Sequence, residues 1–221
     1  MRALLAAVGT GGDMQPSGAL GLGNRGSAAE QRAELDGVRL RLYRRELRET
    51  QVIDTHIRDA RIEDAAMLAE AQRVIARTPG RLASVPSELK DELFRERILR
   101  LSGSECGKFI VIETGGEVAG HALLDPLKLA VTAHVVDLTI AVHPGFQGRG
   151  LGKQLLSHLI EWARANPKVE RMELRVRSVN TIAIALYKKL GFVEEGRMRR
   201  RLKLGPDSYV DDLVMGLWVG P

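Results

Sequence analysis

A chain of 221 residues is long enough for one domain with a well-buried core and short for two. Its 44% apolar and 28% charged residues are those of a soluble globular protein, and no run approaches the ~18 to 20 apolar residues of a membrane span. The single cysteine, Cys106, excludes an internal disulfide and fits a cytoplasmic setting, while the net charge of +5 raises nucleic acid as a partner.

Residues 1–50 read as a disordered or loosely ordered leader, rich in Gly, Ala and Ser at first and densely charged from about residue 30. The apolar run over residues 3–8 is shorter than the roughly 7 to 15 residues a secretory core requires. The domain is expected over residues 51–221. Val52, Ile53 and Ile57 suggest a first strand, and apolar residues from Ile62 to Ile75 recur at helical spacing until Pro79 and Gly80. Ser87 is expected to cap a second helix with Leu89, Leu93, Ile98 and Leu101 on its buried stripe. Residues 109–112 and 118–124 read as an antiparallel hairpin, and residues 131–142 as the next strand. Leu151, Leu155, Leu159 and Trp162 mark a third helix packed on a sheet. A fifth strand at Met172, Leu174 and Val176 leads to a fourth helix at Ile182, Leu186 and Leu190, which Gly191 ends. Residues 197–204 and 209–219 form the last hairpin, so the order is mixed α/β.

The densest chemistry lies between the fourth strand and the third helix, in the turn GFQGRGLG. Gly148, Gly150 and Gly152 leave successive backbone N–H groups free of side-chain bulk where the helix starts, which makes a nest of donors. The helix N-terminus adds its unpaired N–H groups and positive dipole end, and Arg149 and Lys153 add cationic side chains. Such a turn suits a phosphate or pyrophosphate. It lacks the Walker spacing. The basic run GRMRRRLKLG at 196–205 alternates, with Met198, Arg200, Leu202 and Leu204 on one strand face and Arg197, Arg199, Arg201 and Lys203 on the other. That pattern describes a solvated strand, or one facing an acidic ligand, as well as it describes a nucleic-acid surface.

Two segments, VDLTIAVHPGFQGRGLGKQLL and LRVRSVNTIAIALYKKLGF, together resemble the GNAT superfamily of acyl-CoA N-acyltransferases. The family's signature matches Gln147, Gly150 and Gly152, and its later Asn…Tyr…Gly-Phe run matches Asn180, Tyr187, Gly191 and Phe192. The ending SYVDDLVM resembles more narrowly the phosphinothricin-type and L-amino-acid N-acetyltransferase branch. The resemblance implies a mostly antiparallel twisted sheet of about seven strands, splayed between strands 4 and 5, with about four helices. It also implies acetyl-CoA as co-substrate and no metal. The pyrophosphate would rest on Gln147, Gly148, Arg149, Gly150, Leu151, Gly152 and Lys153. The pantetheine arm would pair with main chain at Leu138, Ile140 and Val142 and meet Asn180, with an N–H near Val142 holding the developing oxyanion.

Roles for the proton carriers follow from the same resemblance. Tyr187 would protonate or steady the departing thiolate. Asn180 and Tyr187, seven residues apart, would project from one helix face. Asp137, a carboxylate among apolar strand neighbours, would take the amine's proton, since a free alkyl amine of pKa ~10 must lose one before it attacks. Glu173 is the reserve base. Arg175 stands where the branch that acts on peptide N-termini carries glutamate, which counts against that branch. His121, His134, His143 and His158 show no metal spacing and read as structural. The expected activity is transfer of an acetyl group to a primary amine of a small molecule or protein. The rivals are a catalytically idle acyl-CoA sensor and a basic nucleic-acid module. Acceptor identity, acyl preference and homodimer formation stay open.

Overall fold

A computed structural model of the chain describes residues 54–220, so the expected leader over residues 1–50 and the start of the first strand at Val52 and Ile53 lie outside the described residues. Within them the strands are β1 (Thr55–Asp59), β2 (Lys108–Thr114), β3 (Glu117–Pro126), β4 (Val135–Val142), β5 (Arg171–Arg177), β6 (Val193–Lys203) and β7 (Tyr209–Trp218). The helices are α1 (Ala65–Ala76), α2 (Asp91–Ser102), α3 (Leu151–Ala165) and α4 (Thr181–Lys189). The seven strands form one sheet in the order β1-β2-β3-β4-β5-β7-β6. Every neighbouring pair is antiparallel except β4–β5. The expected mixed α/β sheet with four helices is the observed one.

Alternation along the central strands builds two cores. On one face Ile110, Ile112, Leu124, Val136 and Leu138 pack against Leu155, Leu156 and Leu159 of α3. On the other, Phe109, Val111 and Leu123 pack against Leu68 of α1 and Phe94 and Ile98 of α2. Each large side chain so buried contributes about 1.5–3 kcal/mol relative to exposure. The α3 stripe of Leu151, Leu155 and Leu159 is fully buried, as its period requires.

Several local expectations need correction. Ser87 does not cap α2: Pro86–Glu88 is a separate 3-10 turn, and α2 starts at Asp91 after Lys90. Between them Leu89 takes a non-helical backbone and buries its side chain, which sets the two pieces apart. The fourth strand begins at Val135 and not Val131, because Ala130–Thr132 forms a 3-10 turn that leaves Val131 82% exposed. Ile182 is likewise 82% exposed and does not mark the α4 core face; Tyr187 is the residue that α4 buries. The alternation in β6 fails midway. Met198 pairs with Asp212 and Leu202 with Val210, so two extra residues bulge from β6, and Arg200 adopts a left-handed φ of 52°.

Candidate active site

The pairing of β4 explains how the sheet opens. Leu127 N–H donates to Val135 O at 3.0 Å and His143 N–H to Ala119 O at 2.8 Å. The odd-numbered residues of β4 therefore form the hydrogen-bonded pairs with β3, and the even-numbered ones turn their N–H and C=O groups toward β5. The β4–β5 ladder covers only Val135, Val136 and Asp137, paired with Arg171, Met172 and Glu173. Past that point the strands part. The C=O of Leu138, both backbone groups of Ile140 and the N–H of Val142 thus face a gap in the sheet with no strand to pair them, a ready edge for an extended ligand carrying amide groups.

At the end of that edge lies the glycine turn. Gly145, Gly148 and Gly150 all have φ between 77° and 85°, and Gly150 sits at the N-cap of α3 with no side chain to cap it. The first helical bonds run from Lys153 and Gln154 N–H to Gly150 O. The N–H groups from Gln147 to Gly152 find no acceptor among the described residues and form the donor nest that the spacing suggested. A methyl group placed on Gly148 or Gly150 would meet no atom within 4 Å, so the space in front of the nest is open. Gln147 ties the turn to β4 through Nε2 and Val142 O, 3.4 Å apart. Arg149 donates to Gly145 O at 2.9 Å and lies over the Phe146 ring. Leu151 is 2% exposed, so it serves the nest by its N–H alone, while the Lys153 side chain is exposed. These features fit a pyrophosphate followed by a pantetheine arm.

A cleft of about 490 Å³ continues from the gap on the sheet face that carries α1 and α2, and Asp137, Leu138, Ile140, Asn180 and Tyr187 all line it. Asn180 is not part of α4 but its N-cap, its Oδ1 accepting from Ala183 N–H at 3.3 Å. It still reaches the same cleft as Tyr187. Tyr187 is 7% exposed and packs on Phe192 with ring centroids 5.8 Å apart. Burial pushes its phenol up to about 12, against an opposing pull from Arg177.

Asp137 is half-buried. Burial raises its carboxyl above the ordinary range, the Arg175 guanidinium 3.4 Å away pulls it back, and Asp125 and Glu173 on the flanking strands push it up further. Those three acids stand side by side across β3, β4 and β5 because they are register partners. Each has its own arginine. Asp125 holds Arg100 in a two-pronged pair, and Glu173 holds Arg171 at 2.9 Å. Glu173 does not line the cleft, so of the two candidate bases only Asp137 does.

Two features escaped the sequence. One is a buried polar chain in which Gln72 Nε2 meets His121 Nε2 at 2.8 Å, His121 Nδ1 meets His143 Nε2 at 2.9 Å, and His143 Nδ1 meets Val118 O at 3.0 Å. A carbonyl only accepts, so His143 Nδ1 carries hydrogen, and each ring then donates through Nδ1 and accepts at Nε2. Burial holds both rings neutral, lowering His121 to about 3. Two of the four histidines read as structural, His121 and His143, make up this chain. The other is a set of arginines from separate elements. Arg175 and Arg177 come from β5, Arg97 from α2, Arg81 from the loop after α1, and Arg201 from the β6 bulge; all line the cleft. Among the described residues no group of three or more His, Cys, Asp or Glu side chains is placed to hold a metal.

A sheet parted between its fourth and fifth strands beside a glycine nest defines the GNAT-like class of fold. Residues 70–192 match the Acetyltransferase (GNAT) family, and the chain belongs to that family. It is 34% identical over 102 residues to the N-alpha-acetyltransferase RimI of Mycobacterium tuberculosis, spanning 46% of this chain and 62% of that protein. It is 33% identical over 125 residues to the L-amino acid N-acetyltransferase AaaT of Escherichia coli, spanning 57% of this chain and 75% of that protein. Among solved structures, YncA of Salmonella typhimurium with its cofactor acetyl-CoA superposes with a TM-score of 0.63 at 26% identity, over 76% of this chain and 95% of that one. No helix among the described residues is long and apolar enough to cross a membrane.

Proposed function

We propose that this protein transfers an acetyl group from acetyl-CoA to a primary amine by direct attack of the amine on the thioester. The observation that carries the reading is the β4 edge from Leu138 to Val142, left without a β5 partner and leading to the nest of N–H groups at residues 147–152. The nest holds the pyrophosphate, and the β4 edge with Asn180 holds the pantetheine arm. Val142 N–H, at the far end of the free edge, is the donor for charge developing on the acyl oxygen. Asp137 takes the proton that the nitrogen sheds as it bonds to carbon, and its raised pKa brings it nearer to that task. Glu173 is the reserve base. Tyr187 steadies the leaving sulfur. Its phenol, at about 12, holds its proton more tightly than a thiol of pKa ~8.5 would, which favours donating a hydrogen bond over full proton transfer. A cytoplasmic setting and a working domain confined to residues 51–221 belong to the same reading.

The test is release of free thiol from acetyl-CoA on addition of amines to the purified protein. Acceptor-dependent release is expected. Tight CoA binding with no release from a broad amine panel would overturn the enzyme reading in favour of an acyl-CoA sensor.

A further inference from the structure

The cleft carries more positive charge than the proposed reaction uses. Of its lining arginines, Arg175 is paired with Asp137 and Arg177 with Asp212 in a buried ion pair. Arg81, Arg97 and Arg201 have no carboxylate partner among the described residues. With five arginines against two aspartates, the lining has a formal charge of +3 (5 − 2). A pantetheine arm and an acetyl group are neutral, and the CoA phosphates belong at the glycine nest, none of whose residues line this cleft. The surplus is therefore left for the acceptor.

Two details mark the surplus as built. Arg97 is half-buried and set against the Phe94 ring at 6.0 Å, and desolvation lowers its pKa. Asp125, the carboxylate whose charge acts on it, is already engaged by both terminal nitrogens of Arg100. An unpaired guanidinium held partly out of water is costly unless an anion compensates it. Arg201 reaches the cleft from the bulge next to Arg200, whose left-handed backbone is fixed by its N–H on Asp211 Oδ1 at 2.7 Å and its guanidinium 4.1 Å from the Tyr209 ring centroid. Strain of that kind in a non-glycine residue persists where it aims a neighbour.

We infer that the acceptor is a small amine carrying at least two negative charges, bound by Arg81, Arg97 and Arg201 in the cleft between the α1–α2 face and the β6 bulge. The inference rests on the acetyltransferase reading. The cleft volume of about 490 Å³ suits a small molecule such as a dicarboxylic amino acid or an amine with a phosphate head, not a folded protein surface.

The experiment compares glutamate, glutamine, an aminoalkyl phosphonate, spermidine and an Asp-initiated peptide as acceptors in the thiol-release assay. Glutamate or the phosphonate should exceed glutamine at least ten-fold in kcat/KM, and which of the two leads identifies the anionic group. Arg97→Gln and Arg201→Gln should each raise KM for the dianionic acceptor about ten- to a hundred-fold, the value of a charge-assisted hydrogen bond. Both should leave CoA affinity unchanged and narrow the preference over glutamine. Arg201 is exposed on the hairpin, so that variant tests the idea even if Arg97→Gln fails to fold. Preference for glutamine, spermidine or the peptide, or an unchanged KM in Arg201→Gln, overturns the inference and leaves the acetyltransferase reading standing. If no amine is turned over, that reading fails instead. Calorimetric binding of glutamate against glutamine to the CoA-loaded protein then decides the anion preference without chemistry.

Discussion

Gly150 offers the sharpest test of the nest, because two substitutions there separate strain from charge. Its φ of 78° is a conformation that costs a side-chain-bearing residue about 1–2 kcal/mol. A methyl group at that position would meet no atom within 4 Å, so Gly150→Ala carries the strain and little else. The strain is the same with and without ligand, so it should lower Tm by several degrees and change CoA affinity little. Gly150→Asp adds a carboxylate in front of the unpaired N–H groups, where it both satisfies donors and repels phosphate. Two like charges ~4 Å apart repel by about 4 kcal/mol at an effective dielectric of 20, and the exposure of the turn reduces that to about 1–3 kcal/mol. The Asp variant should therefore bind CoA about 5- to 150-fold more weakly than the Ala variant. Titration calorimetry with CoA and with pantetheine, which lacks the phosphates, provides the assay. The aspartate should weaken CoA alone. A folded Asp variant that binds CoA like the parent, or that loses CoA and pantetheine equally, would remove the nest from phosphate binding.

Asp137→Asn should lower turnover by ~10² to 10⁴ with CoA affinity little changed. An acceptor amine of pKa near 7 should restore most of that loss, and absence of rescue would shift attention to Glu173. The same substitution should stabilise the fold at neutral pH: a raised carboxyl pKa contributes stability below the unfolded value that is lost as pH rises through the folded one, a dependence that asparagine removes and urea titration at pH 7 can read. Tyr187→Phe should also slow turnover, by a factor that shrinks as pH passes the thiol pKa of ~8.5, whereas a constant factor up to pH 10 would assign Tyr187 to packing. Lowered to about 3, His121 is neutral in the fold, so its contribution is complete above pH 6.5 and is lost as pH falls toward 3. Between pH 7 and pH 5 the loss should be about 2 kcal/mol, and an unchanged urea midpoint would contradict the neutral histidine chain.

What the sequence made legible was local. The nest follows from glycine spacing against a helix start, and the core stripes of α3 and the β2–β3 hairpin follow from period. The glycine at 191, with φ of 96°, ends α4 as a glycine after a helix should. Tyr187 and Asn180 could be singled out only through resemblance, since a tyrosine beside Leu186 reads more readily as packing. The cleft arginines could not be read at all, because they come from a loop, a helix, a strand and a bulge far apart in the chain and meet only through the sheet order. The bulge was hidden because residues 197–204 alternate perfectly on paper. Its cause is the anchoring of Arg200 by Asp211 and Tyr209 across the hairpin, contacts with no local signature. Asp211 and Asp212 look alike in sequence, yet Asp212 is 3% exposed against Arg177 while Asp211 holds the bulge from the surface.

The charge of the cleft bears on the chemistry as well as on recognition. An amine at pH 7 is almost wholly ammonium, and the reaction begins only from the neutral form. Bringing an ammonium toward the unpaired Arg81, Arg97 and Arg201 costs repulsion that a neutral amine does not incur, so the surplus charge of the cleft favours the neutral form of a nitrogen that enters it. An acceptor that carries its own anionic groups offsets this cost through those groups and leaves its nitrogen beside Asp137. Asp137 then faces an amine already biased toward losing its proton, and a carboxylate whose pKa is only moderately raised can accept it. The same field holds the phenol of Tyr187 in check, since Arg177 is the one charge that lowers its pKa against burial. On this account Arg177, buried with Asp212, sets the potential at Tyr187, while Arg175, Asp125 and Glu173 set it at Asp137.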